Sequence, residues 1–396
     1  MKTLNKYEAW YMEQLNNIVS NGQLRGDRTG TGVLSLPDLE YCHDLRESYP
    51  VLFSRWFNLK FPIIEINWMM SGEGNIKQLK ENGCPFWNSF AVQGDKVLPT
   101  ELSRTERLKH LAIKQGVPYG KVLQIFGSER PEDIDIELDK QQIPNTQDIL
   151  VAKDGDLGPV YGVQWRHWPN PNGSTFDQLT YALETLRKDP DSRRVVVDCW
   201  NPSYLPDPKK SPAENAARGK MALTPCHFTF GFYTWEIPFH ERVEELKKVC
   251  SREEWMSVYP VHRNSGTIEK IDRLIQKYNV PKYYLDLKFL MRSNDWVLGQ
   301  PANMNMYSAM LMMFAKELNM VARFVKYTGW DAHVYCNHLE GVETLNERWA
   351  TGQHKYSTIK MILDSEPKGL FGYHHDDFKV VGKYEPLSSI KFPIAI

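Results

Sequence analysis

The sequence predicts an α/β protein, and three observations carry that prediction. Apolar positions recur at helical spacing over 6–20, 175–188 and 267–278. Among these segments lie runs of strand length rich in β-branched and aromatic residues, at 195–200, 226–233 and 283–291. With 396 residues, 42% of them hydrophobic and 12% aromatic, the chain has ample material for one substantial core that absorbs insertions.

Composition narrows the function classes. The net charge of −1 comes without any block of like charges, which points away from a nucleic-acid groove or a membrane surface. Residues 1–11 are polar and aromatic with no apolar signal core, and no later run reaches transmembrane length. The six cysteines (Cys42, Cys84, Cys199, Cys226, Cys250, Cys336) form no C-x-x-C pair and are too sparse for a disulfide framework. The expectation is a soluble protein of a reducing compartment, the cytoplasm, with its thiols free for chemistry.

Taken in order, residues 6–20 place Trp10, Tyr11, Met12, Leu15, Ile18 and Val19 on one helical face, with Gly22 at the stop. The loop Gly26-Asp27-Arg28-Thr29-Gly30-Thr31-Gly32 brings backbone N–H groups and one guanidinium together, as phosphate binding requires. It also reads simply as a turn before the strand Val33–Leu36. Residues 59–70 read as a buried helix ended by Ser71-Gly72, with Glu65 and Asn67 polar in an apolar run. A buried carboxyl is either paired or has a raised pKa, and the latter suits general acid–base work. Cys84-Pro85-Phe86-Trp87-Asn88-Ser89-Phe90 is an aromatic cluster, either core or a stacking surface for a planar ligand.

Residues 95–153 are a charged excursion with a short helix near Arg104–Gln115 and turn signals at Gly116, Pro118 and Pro144. They read as an insertion without chemistry of its own. A helix is predicted from Thr175 to Lys188, stopped by Asp189-Pro190-Asp191-Ser192. Arg193 and Arg194 then open the strand 195–200 and point to opposite faces, one suited to a ligand and the other to a subunit contact.

The run Leu223–Tyr233 enters its strand at Pro225, where no ladder N–H is needed. Alternation puts Cys226 and His227 on opposite faces, so His227 cannot be the base for Cys226. Unless Cys226 is inert core, it needs activation by groups distant in sequence, and cations favour thiolate. A second excursion covers 236–280, with an amphipathic helix over 267–278. The strand Tyr283–Met291 delivers Arg292-Ser293-Asn294-Asp295, and Leu298-Gly299-Gln300-Pro301-Ala302-Asn303 leads into a methionine-rich helix at 304–318, read as core packing. His333 and His338, five residues apart without a carboxylate at ligand spacing, make a weak zinc case. The apolar end Pro393-Ile394-Ala395-Ile396 is expected to dock.

Together these pieces resemble the thymidylate synthase family, in order and along nearly the whole chain. The matching segments are DRTGTG at 27–32, LGPVYGVQWRHW at 157–168, DPDSRR at 189–194 and LTPCH at 223–227. RSND at 292–295, LGQPAN at 298–303, DAHVYCNH at 331–338 and the terminal PIAI complete the series. The resemblance implies a three-layer α/β fold of the α+β type, one catalytic domain over 1–396 with insertions at about 95–153 and 236–280. Its large mixed sheet would pack against a second subunit in a homodimer.

The implied chemistry is attack of the Cys226 thiolate on C6 of dUMP, after which C5 takes a one-carbon unit from 5,10-methylenetetrahydrofolate, with no metal. Glu65 matches the family's acid–base carboxylate and Tyr161 its partner in removing the C5 proton. Arg28 and Arg292 would hold the phosphate with Arg193 and Arg194 from the partner subunit. Four guanidiniums beside the thiol would depress its pKa. His333 and Tyr335 match the groups on the deoxyribose hydroxyl, with Ser293 and Asp295 also at the nucleotide. Asn303 stands where the family reads the base, and its carboxamide can pair with O4 and N3–H of uracil. Phe86, Trp87, Asp295, Leu298, Gly299, Ala302 and Ala395 would border the folate.

Some positions depart from the family pattern. Ala302 replaces an aromatic residue, Phe90 a tryptophan, Phe86 an aliphatic residue and Met291 a glutamine, and Asn67 stands at an apolar position. A loosened folate pocket penalises hydride transfer to the exocyclic methylene intermediate. A vacancy at Ala302 beside Asn67 is expected to admit and orient a water, giving 5-hydroxymethyl-dUMP as in the hydroxymethylases with which phages modify their DNA precursors.

Overall fold

A seven-stranded mixed sheet organises the larger part of the computed structural model, which describes residues 4–27, 29–258 and 265–394. Its strands are β1 (Gln23–Arg25), β2 (Val33–Asp44), β3 (Val196–Asp198), β4 (His227–Glu236), β5 (Tyr283–Met291), β6 (Asn294–Asp295) and β7 (Val321–Tyr335). They lie in the order β1-β2-β7-β5-β4-β3, with β6 beside β7. β7 runs parallel to β5 and β6, and the other pairs are antiparallel. The expected α/β class with a large mixed sheet is what the chain adopts.

The two sheet faces differ in cover. On β4 the side chains of Phe230 and Phe232 turn inward, while Tyr233 and Trp235 stay 58% and 54% exposed. Val196 and Trp330, on β3 and β7, are exposed to a similar extent. The inner face is covered by α1 (Lys6–Asn21), α3 (Tyr161–Arg166), α4 (Gln178–Lys188) and α8 (Gly299–Glu317), with α2 (Lys60–Ser71) packed on α3 and α8; α5 (Phe239–Val249), α6 (Arg252–Val258), α7 (Ser265–Lys277) and α9 (Leu339–Thr351) lie outside this layer. The methionines of α8 are core, as expected: Met304, Met306, Met310 and Met313 are fully buried. Its Tyr307 stacks on Phe289 of β5 at 4.1 Å, and Phe314 meets Phe232 of β4 at 4.4 Å.

Several bounds shift for local reasons. α8 starts at Gly299 rather than Met304, so Ala302 and Asn303 belong to its first turns. Asp295 Oδ1 accepts the N–H groups of Val297 and Leu298 at 2.9 and 3.0 Å, turning the chain from β6 toward the helix, and Pro301 is tolerated in a first turn. α4 starts at Gln178 because Asp177 caps it, accepting the Thr180 N–H at 3.0 Å. The second excursion folds as α5, α6 and α7 around Val243, Leu246, Val258, Ile271 and Ile275, a small core of its own.

The first excursion is more than loops. Residues 90–159 and 204–223 form a compact unit distinct from the rest of the chain, where the sequence implies one domain with an insertion. Lys96–Glu101 pairs with Thr146–Ala152, and helices Arg104–Gln115, Tyr119–Phe126 and Pro131–Lys140 close over Leu108, Leu111, Val122 and Leu138. The first of these helices has its expected bounds, fixed by a capping box between Ser103 and Glu106. Among the described residues no helix is long and apolar enough to cross a membrane.

Candidate active site

Cys226 stands immediately before β4, where a register shift between His227 and Thr229 breaks the ladder to β5. Such a bulge re-aims side chains at a strand end. Across from it, the Arg292 N–H donates to the Cys226 carbonyl at 2.9 Å. The Arg292 guanidinium donates to the carbonyls of Pro225 (2.7 Å) and Thr224 (3.0 Å), leaving Nη2 4.0 Å from the Cys226 sulfur. The Cys226 N–H donates to the Tyr161 hydroxyl at 2.9 Å. Thiol, guanidinium and phenol are thus held together by the backbone at the strand entry.

In the single chain the Cys226 thiol is raised, before any cation of a partner subunit is added. Burial pushes the Cys226 thiol up; Arg292 opposes this, and Asp295 and Asp331 reinforce it. Among the described residues Arg292 is the guanidinium that acts on it; the expectation was Arg28 and Arg292 from the same chain and Arg193 and Arg194 from the partner. Arg193 and Arg194 are exposed on the approach to β3, and Arg28 lies outside the described residues.

Tyr161 opens α3 with φ +22°, a backbone strain tolerated when packing fixes the residue. Its ring stacks on His227 at 4.1 Å. Gly162 makes the placement possible, since a Cβ there would fall 1.9 Å from the Met69 carbonyl oxygen. α3 therefore rests directly on the backbone of α2. His227 shares a hydrogen bond with the Tyr307 hydroxyl at 2.8 Å, and burial pushes its pKa down to about 3. It is neutral and turned away from the thiol, as strand alternation requires.

Glu65 is buried on α2, and burial pushes its pKa up to about 7 against the pull of the Trp87 indole N–H, which donates to Oε1 at 2.7 Å. Trp87 packs edge-on against Tyr161 at 5.7 Å, so the carboxyl and the thiol are linked through two aromatic rings. Phe86 packs edge-on against Phe61 at 5.6 Å. Asn67 lies two residues beyond Glu65, about 200° around the helix. Its amide donates to the Tyr373 carbonyl at 3.2 Å, beside a separate small cavity lined by Phe371 and His375. One Asn67 N–H is thus engaged by the 370–375 loop, and its second N–H and its oxygen are the groups with which it would orient a water.

On the other side, the Asn303 amide donates to the Met291 sulfur at 3.3 Å, a weak acceptor. Ala302 is buried beside it, Leu298 and Gly299 open the same helix half-buried, and Ser293 is half-buried between Arg292 and β6. The pairing of β6 with β7 sets Asp295 opposite His333. His333 Nδ1 lies 3.2 Å from Asp331 Oδ1, which also accepts the Ser35 hydroxyl at 3.0 Å, and Tyr335 meets the His333 ring edge-on at 5.2 Å.

The described end of the C-terminal tail is held at Phe392 and Pro393, with Ile394 exposed. The Pro393 carbonyl lies 2.8 Å from His338 Nε2, and Phe392 packs between His338 and the Arg55 guanidinium. Ala395 lies outside the described residues. These bonds use His338 and His333 for positioning, and the weak zinc reading gains nothing from them. Elsewhere the ligand atoms of His374, His375 and Asp376 lie within 4.8 Å of one another, at a largely exposed site where Asp376 already pairs with Lys60. Sequence reasoning missed Arg55, which also donates to the Val297 carbonyl ahead of α8, and the pairing of Met291 with Asn303. Neither carries a periodic or motif signal. Gly162 had one, a glycine next to a candidate catalytic tyrosine.

Comparison with known proteins gives a consistent picture. Residues 9–396 match the family described as thymidylate synthase. The thymidylate synthase of Pseudomonas fluorescens is 28% identical over 386 residues, covering 98% of this chain and 99% of that protein. The thymidylate synthase of Corynebacterium aurimucosum is 28% identical over 389 residues, covering 98% of each.

Proposed function

The chain belongs to the thymidylate synthase family, and from that premise we propose that Cys226 adds to C6 of dUMP, with water capture of the resulting C5 methylene giving 5-hydroxymethyl-dUMP. One-carbon transfer to dUMP from methylenetetrahydrofolate is the family reaction. The observation carrying the assignment of residues is the convergence of Arg292, Tyr161 and Cys226 at one strand entry. Arg292 would hold the phosphate with Arg28, Ser293 and Asp295 would line the nucleotide, and His333 and Tyr335 would take the sugar hydroxyl. Glu65 and Tyr161 would handle protons at the pyrimidine.

The folate supplies the one-carbon unit. Phe86, Trp87, Asp295, Leu298, Gly299, Ala302 and Ala395 would border it. A buried acceptor, Asn294 Oδ1, has no hydrogen-bond partner among the described residues beside Gly299 and Asp295, as a bound donor molecule would require. Water capture rests on Ala302, whose small side chain leaves the start of α8 without an aromatic platform, so hydride transfer loses its stacking geometry. A second reading, dTMP formation, is favoured by the docked tail around Phe392 and Pro393. The folate product separates them. Hydroxymethylation releases tetrahydrofolate, and a stoichiometric absorbance rise from dihydrofolate with dUMP would overturn it. Running the same assay with dCMP tests Asn303, whose assigned role requires kcat/KM to favour dUMP clearly.

A homodimer is the assembly that fits the exposed aromatic sheet face of Tyr233, Trp235 and Trp330. In it Arg193 and Arg194 would reach the partner's phosphate site. Mixing the inactive Cys226→Ala chain with an inactive Arg193→Ala/Arg194→Ala chain is expected to restore activity, because one site of the mixed dimer then has both its own Cys226 and the partner's arginines. No recovery after verified exchange of subunits would rule that arrangement out.

A further inference from the structure

An open cavity of ≈420 Å³ lies where the second excursion meets α4, the start of β5 and the end of α8. Its size is that of a small-molecule site. Leu186, Ile275 and Val280 give it an apolar wall, and Arg242 and Lys282 bring positive charge. Among the described residues Arg242 Nε is buried without a hydrogen-bond partner and its guanidinium forms no ion pair, whereas Lys282 Nζ lies 3.7 Å from Glu236 Oε1. A buried donor left unfilled is costly, and a planar guanidinium fork is suited to a phosphate. The nearby Glu317 does not neutralise it. One Glu317 oxygen accepts the Tyr373 hydroxyl at 2.5 Å and the N–H groups of Lys368 and Gly369 at 3.1 Å each.

We propose that this cavity binds a small organic phosphate, its phosphoryl group on Arg242 and its apolar body against Ile275 and Val280. The site is built in large part by the 236–280 excursion, so it is separate from the nucleotide site at the far end of β5. A bare inorganic phosphate would satisfy the guanidinium but leave the apolar wall uncovered, which makes the wall the source of preference for an organic body.

The test is calorimetric titration of phenyl phosphate into the full chain held in saturating dUMP. One saturable site per chain is expected, with inorganic phosphate at least about tenfold weaker, and Arg242→Gln weakening phenyl phosphate at least about tenfold. Lys282→Gln provides a second variant at the same cavity and is expected to weaken binding in the same direction. Both variants should release tritium from 5-tritiated dUMP at the wild-type rate, which separates this site from the catalytic one and shows that they are folded. Absence of a saturable site, or undiminished binding in Arg242→Gln, would overturn the proposal.

Discussion

Cys226→Ala is expected to abolish release of tritium from 5-tritiated dUMP, lowering the rate by at least about 10⁴-fold, because losing a covalent nucleophile removes the route itself. Release of the C5 hydrogen requires prior addition at C6, so the assay reads the adduct whichever way the methylene is later captured. The fold should survive the change. Cys226 is only half-buried, its N–H still donates to Tyr161, and its carbonyl still accepts from Arg292. Binding of dUMP should persist for the same reason, since Arg292 is anchored on the carbonyls of Thr224 and Pro225 and not on the sulfur. A variant that binds dUMP and still releases tritium at a comparable rate would remove Cys226 from the mechanism.

Burial, reinforced by Asp295 and Asp331, raises the Cys226 thiol, and this gives the arginine contribution a definite sign. A thiol raised in the isolated chain must be brought down by cations if it is to attack as thiolate, and in the proposed enzyme Arg28 and the arginines of a partner, Arg193 and Arg194, would supply them. Arg292 alone does not supply the whole effect, because the thiol stays raised with Arg292 beside it. Dimerisation and nucleophile activation are therefore coupled in the proposed enzyme.

What the sequence made legible was local. Alternation along a strand excluded His227 as the base, and its neutral ring against Tyr307 follows from that geometry. A carboxyl within an apolar helix is either partnered or raised in pKa, and Glu65 is both, accepting the Trp87 N–H while burial raises it. The strand Tyr283–Met291 has its expected bounds because the aromatic and aliphatic content stops at Arg292. What stayed hidden depends on which elements meet. Asn67 looked like a pocket residue because it is near Glu65 in sequence, yet a helix turns it toward Tyr373. The close approach of Gly162 to Met69 involves residues 93 positions apart, and no periodicity encodes it. The two-part unit of 90–159 and 204–223 is discontinuous in sequence, so a charged stretch read alone looked like an appendage.

Glu65→Gln is expected to lower kcat by about 10²- to 10⁴-fold, the range for loss of a positioned acid–base group. The amide keeps the shape and can still accept the Trp87 indole N–H, so the loss reports proton transfer and not packing. In the wild type, log kcat/KM should break in slope near pH of about 7, where this carboxyl titrates, and the break should vanish in the variant. Stability gives an independent reading of the same pKa. A carboxyl raised from 4.5 to about 7 in the fold contributes fully below its unfolded pKa, and that contribution is lost as pH rises through about 7. Across that window the wild type should lose about 3 kcal/mol relative to Glu65→Gln, an order-of-magnitude figure from the size of the shift. Parallel stability profiles for the two proteins would mean that Glu65 is ionised throughout. A descending activity without the break at about 7 would leave it a structural carboxylate beneath Trp87.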